Sequence, residues 1–505
     1  MPRIVRRLAL LLPAMLALAL LAVIALVWWR YDAARLDLAG RTTFTNPVDV
    51  PPLAESRIDD RGRRVFDLTL QRGETDFGQG RVAGTWGINQ PYLGPTLRAK
   101  RGERVLVNVT NEVGETSTLH WHGMHLPARM DGGPHQMVEP GETWSPTWQL
   151  DQPAATLWYH PHLHGSTADH VYRGLAGMFL VDDAESVRLA LPQEYGVDDI
   201  PLIVQDKRFD EAGQLDDGTS FLNPVGVLGD EVLVNGTDDA YLPVTTEVVR
   251  LRLLNGSNAR VYNFGLDDYR EFDLVATDGG LVERPLPMSR LRLSPGERAE
   301  IVVAMEPGER VVLRSYPSDI AGDPLQQRWS GGDDSLDVLE LRAADDLADS
   351  PPLPERLADL PDAQAAAADA EVSRDFRLTT PTINGRTMDT DRIDETVKVG
   401  ATELWRVRNE DGTPHNFHVH DVQFRVVWVD DGEPEPALRG RKDTVLVPAN
   451  TEVVLVMTFE DHTDPDAPYM FHCHLLRHED QGMMGQFVVV GPGEEAGAPG
   501  QLHDH

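Results

Sequence analysis

The 17 histidines of this 505-residue chain fall in two windows, His120–His170 and His415–His505, and the middle of the chain has none. Four His-x-His pairs stand out: His120-Trp-His122, His160-Pro-His162, His418-Val-His420 and His472-Cys-His474. On an extended strand, residues i and i+2 share a face, so each pair can present two imidazoles to one place. Pro161 biases His160 towards the extended conformation this needs. His164 would lengthen the second pair, so spacing alone leaves its members open. Eight imidazoles are too many for one ion. They suit a cluster of about three metal ions with positions left open for a small ligand such as dioxygen. A fold that accommodates this pattern must bring the two ends of the chain together.

The stretch Tyr469–Met484 holds the only cysteine, Cys473, flanked by His472 and His474 and followed by His478 and Met483. Cysteine, histidine and methionine together suit copper, and Cys, two His and a weak axial Met make a blue-copper electron-transfer set. Cys473, His478 and Met483 supply three of the four. His415, three residues before His418, can turn towards Cys473 and supply the second histidine. Tyr469–His474 reads as a buried strand. Neighbouring side chains then alternate, with Cys473 on one face and His472 and His474 on the other. One strand would serve two metal centres joined through a few covalent bonds, which is what one-electron wiring requires. A single cysteine also excludes internal disulfides.

The rest of the chain sets the frame. Its length implies two to four domains. A formal net charge of -35 and a pI near 4.7 argue against nucleic acid or anionic lipid as partners. Arg3, Arg6 and Arg7 precede an uncharged run from Leu8 to Trp29, long enough to span a bilayer and ending in Trp28 and Trp29 at interface depth. Ala17-Leu-Ala19 has cleavage-site spacing but lies inside the apolar run. Residues 1–30 are therefore expected to be an uncleaved membrane anchor rather than a removed signal segment. The body would stand outside the cytoplasm, in the periplasm or at the cell surface, and would be secreted if the segment were cleaved. Arg6-Arg7 fits a degenerate twin-arginine signal, and the Leu-rich core fits general secretion equally. Residues 31–60 read as a spacer.

After the spacer the chain is mostly β. Runs such as Val65–Leu70, Arg104–Val109, Val248–Leu254, Ala299–Val303 and Val453–Phe459 are rich in β-branched and apolar residues, with turn residues between them. A faint repeat recurs: an opening turn, a spacer, then an alternating strand ending in Asn111, Asn255 or Asn409. Three β-sandwiches follow, at 45–183, 195–342 and 375–492. Residues 343–374, rich in Ala, Asp and Pro, read as a linker, and 493–505 as a mobile tail in which His503 and His505 are incidental.

The motifs Trp86-Gly-Ile-Asn89 with Gly94-Pro-Thr96, His120-Trp-His-Gly123, Trp158-Tyr-His-Pro-His162, His415-x-x-His-x-His420 and His472-Cys-His-x3-His-x4-Met483 resemble those of the multicopper oxidases. The likeness covers almost the whole chain after the anchor and is closest to the bacterial three-domain group. The resemblance implies an all-β fold of three cupredoxin-like Greek-key sandwiches after an N-terminal hydrophobic helix, with about four coppers. It implies type 1 ligands His415, Cys473, His478 and Met483. It gives the type 2 copper His120 and His418. The binuclear type 3 pair takes His122, His160 and His474 on one ion and His162, His420 and His472 on the other. Dioxygen would be the electron acceptor, with Cys473 in the electron path. Asp131 and Glu479 match proton donors of the resembling group; a carboxyl beside a metal cluster can relay protons. The plainer reading makes Asp131 a turn residue of Asp131-Gly-Gly133 and leaves Glu479 solvated. His125, His135, His164 and His170 are expected to be structural or to support the ligands.

The donor is the open question. Cuprous oxidases of that group often carry a Met-rich segment over the type 1 copper. Here Ser318–Thr387 contains no methionine, and Met388, Asp389 and Asp411 follow. The expectation is a laccase-like oxidase of phenolic or organic donors that reach His415 or His478. The alternatives are oxidation of Cu(I), Fe(II) or Mn(II), or a non-enzymatic copper-binding protein outside the cell. The open cluster and the Cys473 link weigh against simple sequestration. A copper nitrite reductase needs no His-Cys-His bridge of this kind. A member that has lost its metals is disfavoured because no ligand position is missing.

Overall fold

Strand Arg104–Asn111 alternates buried and half-exposed residues, and so does Thr402–Asn409. Each has one face on a core and one towards water. The matching strand of the middle repeat, Val248–Asn255, is buried almost throughout. Its outward-facing Arg250 and Arg252 are covered rather than solvated. Both pair with Glu300, and Arg252 also pairs with Asp199 at 2.6 Å and reaches Thr156 of the first repeat at 2.8 Å. The middle unit is thus wedged against its neighbour by paired charges.

The computed structural model describes residues 3–219 and 224–498, with side chains from residue 15 onward; His503 and His505 lie outside these. Six sheets form three sandwiches. The first packs a sheet containing Arg64–Asp76 and Arg104–Asn111 on one containing Ala155–His160 and His120–His122. The third packs Val372–Thr379, Thr402–Asn409 and Glu452–Thr458 on a sheet containing Tyr469–His472 and His415–Val419. In every sandwich the repeat strand pairs in parallel with an earlier one: Arg64–Leu70 with Val105–Asn111, Asp199–Val204 with Arg250–Asn255, Val372–Leu378 with Glu403–Asn409.

The asparagine closing each repeat strand has one task. Asn111, Asn255 and Asn409 are fully buried. Each donates twice to carbonyls of the following loop and its neighbour: Glu115 and Val138, Arg260 and Leu293, Thr413 and Val447. Each also accepts the N–H two residues on. A buried amide with both ends paired fixes a loop firmly. In the third sandwich that loop leads into His415.

Some stretches differ from the sequence expectation. Residues Asn46–Pro47 pair with Ala240–Tyr241, and Val48 lies in the middle core, so the chain visits the second sandwich before entering the first. The stretch read as a linker begins inside strand Leu336–Ala348, because Val244 and Thr246 supply a pairing edge for Ala343 and Ala348. It later forms helix Ala363–Ala368, as its alanines favour, capped by Asp362 and packed through Ala367 on Val427 and Val456. Strand Tyr469–His472 stops one residue before Cys473. An N-terminal helix, Arg3–Ala33, precedes the sandwiches, and its Met15–Ala33 part has mean hydropathy 1.7 with none of it buried.

Candidate metal centre

Cross-strand register gathers the histidines. Strand His120–His122 lies antiparallel to Ala155–His160, with His120 opposite His160. Strand His415–Val419 lies antiparallel to Tyr469–His472, with His418 opposite His472. These two edges, from the first and third sandwiches, face each other. The eight pair histidines converge, all buried.

Their ring orientations follow from their outer hydrogen bonds. His120 Nδ1–H donates to the Asp131 carbonyl at 2.9 Å, and His418 Nδ1–H to the Asp443 carbonyl at 2.8 Å. The Nε2 atoms of both are buried without any partner. His160 donates Nδ1–H to the Pro161 carbonyl, and His420 donates Nδ1–H to Asp131 Oδ2, each at 2.7 Å. His122 is turned the other way: its Nε2 lies 3.0 Å from Asp443 Oδ1, which leaves Nδ1 facing the cluster.

The inward nitrogens then stand close to one another. His122 Nδ1 and His474 Nε2 each lie 3.4 Å from His160 Nε2. His472 Nε2 lies 3.1 Å from His162 Nε2 and 3.2 Å from His420 Nε2. Burial and neighbouring imidazoles push His122, His160, His162, His418, His420, His472 and His474 well down, so they are neutral, the form that binds metal. Neutral imidazole nitrogens gathered this closely in a buried site suit a cation held between them. Three triads stand close enough to share an ion: His120, His122 and His418; His122, His160 and His474; His162, His420 and His472.

A fourth group lies on the other side of the same strand end. Cys473 Sγ is 3.5 Å from His415 Nδ1 and 3.7 Å from His478 Nδ1. His415 donates Nε2–H to Asp411 Oδ2 and His478 donates Nε2–H to the Pro224 carbonyl, both at 2.9 Å, so both Nδ1 atoms face the sulfur. Burial pushes the Cys473 thiol up to about 12, so a metal binding there displaces its proton. Met483 is buried in the same core, its N–H on the His478 carbonyl and its carbonyl accepting from Cys473 N–H. The alternation expected from the sequence is realised: Cys473 turns to this group, and His472 and His474 turn to the cluster.

The carboxylates differ from their plainer readings. Asp131 is 1% exposed, held by His420 and not by solvent. Glu479 is fully buried, with Oε2 3.2 Å from His472 Nδ1 and Oε1 3.6 Å from His162 Nδ1. Burial opposes ionisation of Asp411, but hydrogen bonds from His415 and Thr380 hold it down at about 2. His415 and His478 are both fully buried, so a donor meets their covering groups, Asp411 and Pro224, rather than an imidazole edge. Of the remaining histidines, His135 bonds Gln486 and His170 bonds Ser117. His125 sits between Asp421 and Asp461, and His164 is exposed.

Sequence reasoning missed the middle unit's share. Arg298 grips Asp443 with two bonds of 2.7 Å, and Lys442 pairs with Asp278 and Glu297 at 3.0 Å. Gly123 of the His-Trp-His-Gly motif must lack a side chain, because a Cβ there would stand 2.5 Å from Asp443 and 2.6 Å from Arg298. Gly296, at φ +85°, brings its backbone within 3.1–3.2 Å, measured from an ideal Cβ, of His474 and His122. The one available signal was Lys442-Asp443, a charged pair opening the apolar run Thr444–Val447.

Family models described as multicopper oxidase match residues 69–186, 210–314 and 354–492. The chain belongs to the multicopper oxidase family. Members of this family bind copper, and the orphaned imidazole nitrogens and the sulfur fit that metal. The chain is 34% identical over 455 residues to multicopper oxidase mco of Staphylococcus haemolyticus, covering 88% of this chain and 93% of that protein. It is 40% identical over 468 residues to cell division protein FtsP of Sodalis glossinidius, covering 90% and 95%. Among solved structures, it resembles a laccase-like multicopper oxidase, CueO of Ochrobactrum sp., with TM-score 0.79, 36% identity and coverage of 88% and 100%. A Campylobacter jejuni multicopper oxidase described as a metallo-oxidase matches with TM-score 0.77, 25% identity and coverage of 91% and 98%. The three sandwiches are thus cupredoxin-like, as in these multicopper oxidases.

Proposed function

We propose that this multicopper oxidase couples one-electron oxidation of a phenolic or similar organic donor to reduction of dioxygen to water. When bound, copper supplies one-electron storage at the mononuclear site and the four-electron chemistry of dioxygen at the cluster. His415, Cys473, His478 and Met483 hold the first ion. His120 and His418, matched in their carbonyl-bonded Nδ1 atoms and free Nε2 atoms, hold a second. His122, His160 and His474 hold a third, and His162, His420 and His472 a fourth. One observation carries the reading: the sulfur of Cys473 belongs to one site while its chain neighbours His472 and His474 belong to the other. Four electrons and four protons per dioxygen balance to two waters. Asp131 and Glu479 stand where protons are consumed, each within 3.2 Å of a cluster imidazole. The apolar N-terminal helix anchors the body outside the cytoplasm.

The absence of methionine from Ser318–Thr387 supports an organic donor over Cu(I). Oxidation of Cu(I), Fe(II) or Mn(II) is the second reading, favoured by the acidic surface and the ionised Asp411 beside His415. A role in cell division, as the name of one relative indicates for that protein, is a third. Oxygen uptake by copper-loaded protein, with a methoxyphenol and with Cu(I), separates them. Phenol-driven uptake without added Cu(II) is expected. Uptake that needs excess Cu(II), with Cu(I) far outcompeting phenols, supports the metal oxidase. Four bound coppers with no uptake from any donor refute the oxidase.

A further inference from the structure

The apolar helix ends against helix Pro324–Trp329, whose other side borders the turn that carries Asp411. Three residues after its last residue, Ala33, the chain is already fastened to the body. Leu36 N–H donates to Asp334 Oδ1 at 2.9 Å, Ser335 N–H donates to the Leu36 carbonyl at 3.0 Å, and Leu38 N–H donates to the Ser335 carbonyl at 2.8 Å. Three residue steps reach at most about 10 Å, so the body has little freedom to swing away from the helix. Arg328 lies 4.4 Å over the ring of Tyr31 and fixes the last helical turn against helix Pro324–Trp329.

From this point two short paths lead to the two mononuclear imidazoles. Helix Pro324–Trp329 is only about 9 Å long. On its far side Gln326 Cγ lies 3.6 Å from where a Cβ on Gly412 would stand, and Gly322 N–H donates to the Gly412 carbonyl at 2.9 Å. The next residue is Asp411, the partner of His415 Nε2. The second path starts at Asp334, whose Oδ2 accepts from Arg260 at 2.6 Å; Arg260 in turn donates to the Gly229 carbonyl at 2.8 Å. The same loop carries Val225, packed in the core with Cys473, and Pro224, the partner of His478.

Beyond its last turn, the described part of the helix stands clear of the body. Leu18, Leu20, Leu21 and Ile24 are each more than half exposed, as are Trp28 and Trp29 at its body end. An apolar surface of this length fits a bilayer, with the tryptophans at the headgroup level. Trp29 precedes Leu36 by seven residues, four of them helical, which sets the fastening point within roughly one or two helical turns of the interface. The net charge of -35 would not draw the body to an anionic bilayer, so the tether must do so.

We propose that the anchor holds the mononuclear edge against the bilayer, and that this edge takes electrons from a lipid-soluble hydroquinone at the membrane interface. This rests on the oxidase reading above and names its donor. Each hydroquinone loses two electrons and two protons to become a quinone, so two hydroquinones reduce one dioxygen to two waters. Electrons leave one at a time past Asp411 and His415 or Pro224 and His478.

The test uses the full chain, copper-loaded, in liposomes. A fluorophore on Leu325→Cys, at an exposed position of the bridging helix, is read against lipids carrying a quencher near the headgroup. Strong quenching is expected. It should fall by more than about half when a flexible spacer of about ten residues is inserted between Ala34 and Arg35, since a long tether lowers the effective concentration of the edge at the membrane. Without oxygen, bilayer hydroquinone should bleach the blue band. The spacer should slow this bleaching about tenfold while leaving a water-soluble hydroquinone within about twofold. No quenching in the parent, or a mature protein that has lost the helix, overturns the orientation. Quenching with a spacer-independent bleaching rate overturns the membrane donor. If neither hydroquinone bleaches the band, the oxidase reading fails and the donor with it, while the quenching still decides the orientation.

Discussion

Replacing Arg298 by Met tests whether the histidine-free middle unit holds the cluster together. Arg298 is fully buried and joins all three sandwiches. Its Nε–H donates to the Thr156 carbonyl of the first at 3.0 Å, and Nη1–H and Nη2–H donate to the Gly296 and Asp278 carbonyls of the second at 3.1 Å. Two bonds of 2.7 Å go to Asp443 of the third. Met roughly keeps the volume and removes every donor. Breaking a buried pair leaves the remaining charge uncompensated and costs about 3–5 kcal/mol. At roughly 2–4 °C per kcal/mol for domains of this size, the melting midpoint should fall by about 6–20 °C. The site should feel it as well. Asp443 accepts from His122 Nε2, and losing an outer partner typically costs about 10–100-fold in metal affinity. The assay is a thermal melt plus copper retained against a chelator, with the blue band as internal control. Cluster copper should leave first while the blue colour persists. A variant that melts within about 2 °C of the parent and retains all its copper equally well would refute the reasoning.

Cys473→Ser should abolish the blue colour and turnover, while His472 and His474 keep the cluster loading; substantial residual oxygen uptake would contradict the wiring. Glu479→Gln and Asp131→Asn should slow reoxidation of the reduced enzyme about a hundredfold without bleaching the blue band, measured by stopped-flow mixing with oxygen. Unchanged rates in both would leave these residues structural. His125 gives a pH signature. Burial opposes its charge, but Asp421 at 2.8 Å and Asp461 at 2.9 Å outweigh that and raise it to about 11. The folded value lies above the unfolded one, near 6.5, so the stabilisation is full below about pH 6.5 and fades as pH rises towards 11. The difference in melting midpoint between parent and His125→Gln should follow that course; a difference that grows with pH would refute it.

What the sequence showed was local. His-x-His pairs are legible because a strand repeats every two residues, and strand pairing then sets His120 against His160 and His418 against His472. Cys473 was legible for the same reason, although the strand ends at His472 and the alternation is continued by loop backbone. The asparagines ending the three repeat strands were visible as a pattern, but their shared task appears only when the loop carbonyls close on them. What escaped was long-range. Arg298 and Asp443 are 145 residues apart in the chain, and neither sits in a metal-ligand pattern. Asp131 and Glu479 lie against His420 and His472 in the fold, and nothing in their spacing showed that burial. The expectation that donors reach His415 or His478 named Asp411 but not Pro224, whose place over His478 depends on a loop from the middle unit, while Asp411 is held on His415 by a turn pinned by Asn409.

The absence of histidine from the middle unit therefore does not mark an absence from the site. A metal cluster shared by two sandwiches works only if their edges keep register to within about half an ångström. An apolar contact alone tolerates sliding, because dispersion has little direction. Ion pairs buried without water do not, since any slip leaves a charge unpaired. The middle unit provides such contacts on both sides. Arg250 and Arg252, paired with Glu300 and Asp199, lock it to Thr156 of the first sandwich. Glu297, Asp278 and Arg298 lock it to Lys442 and Asp443 of the third. Asp443 is the residue on which this lock and the cluster meet, for it receives Arg298 on one side and His122 on the other. The direction of His122, the ring that turns its Nδ1 inwards, is thus set through a carboxylate that the middle unit holds in place.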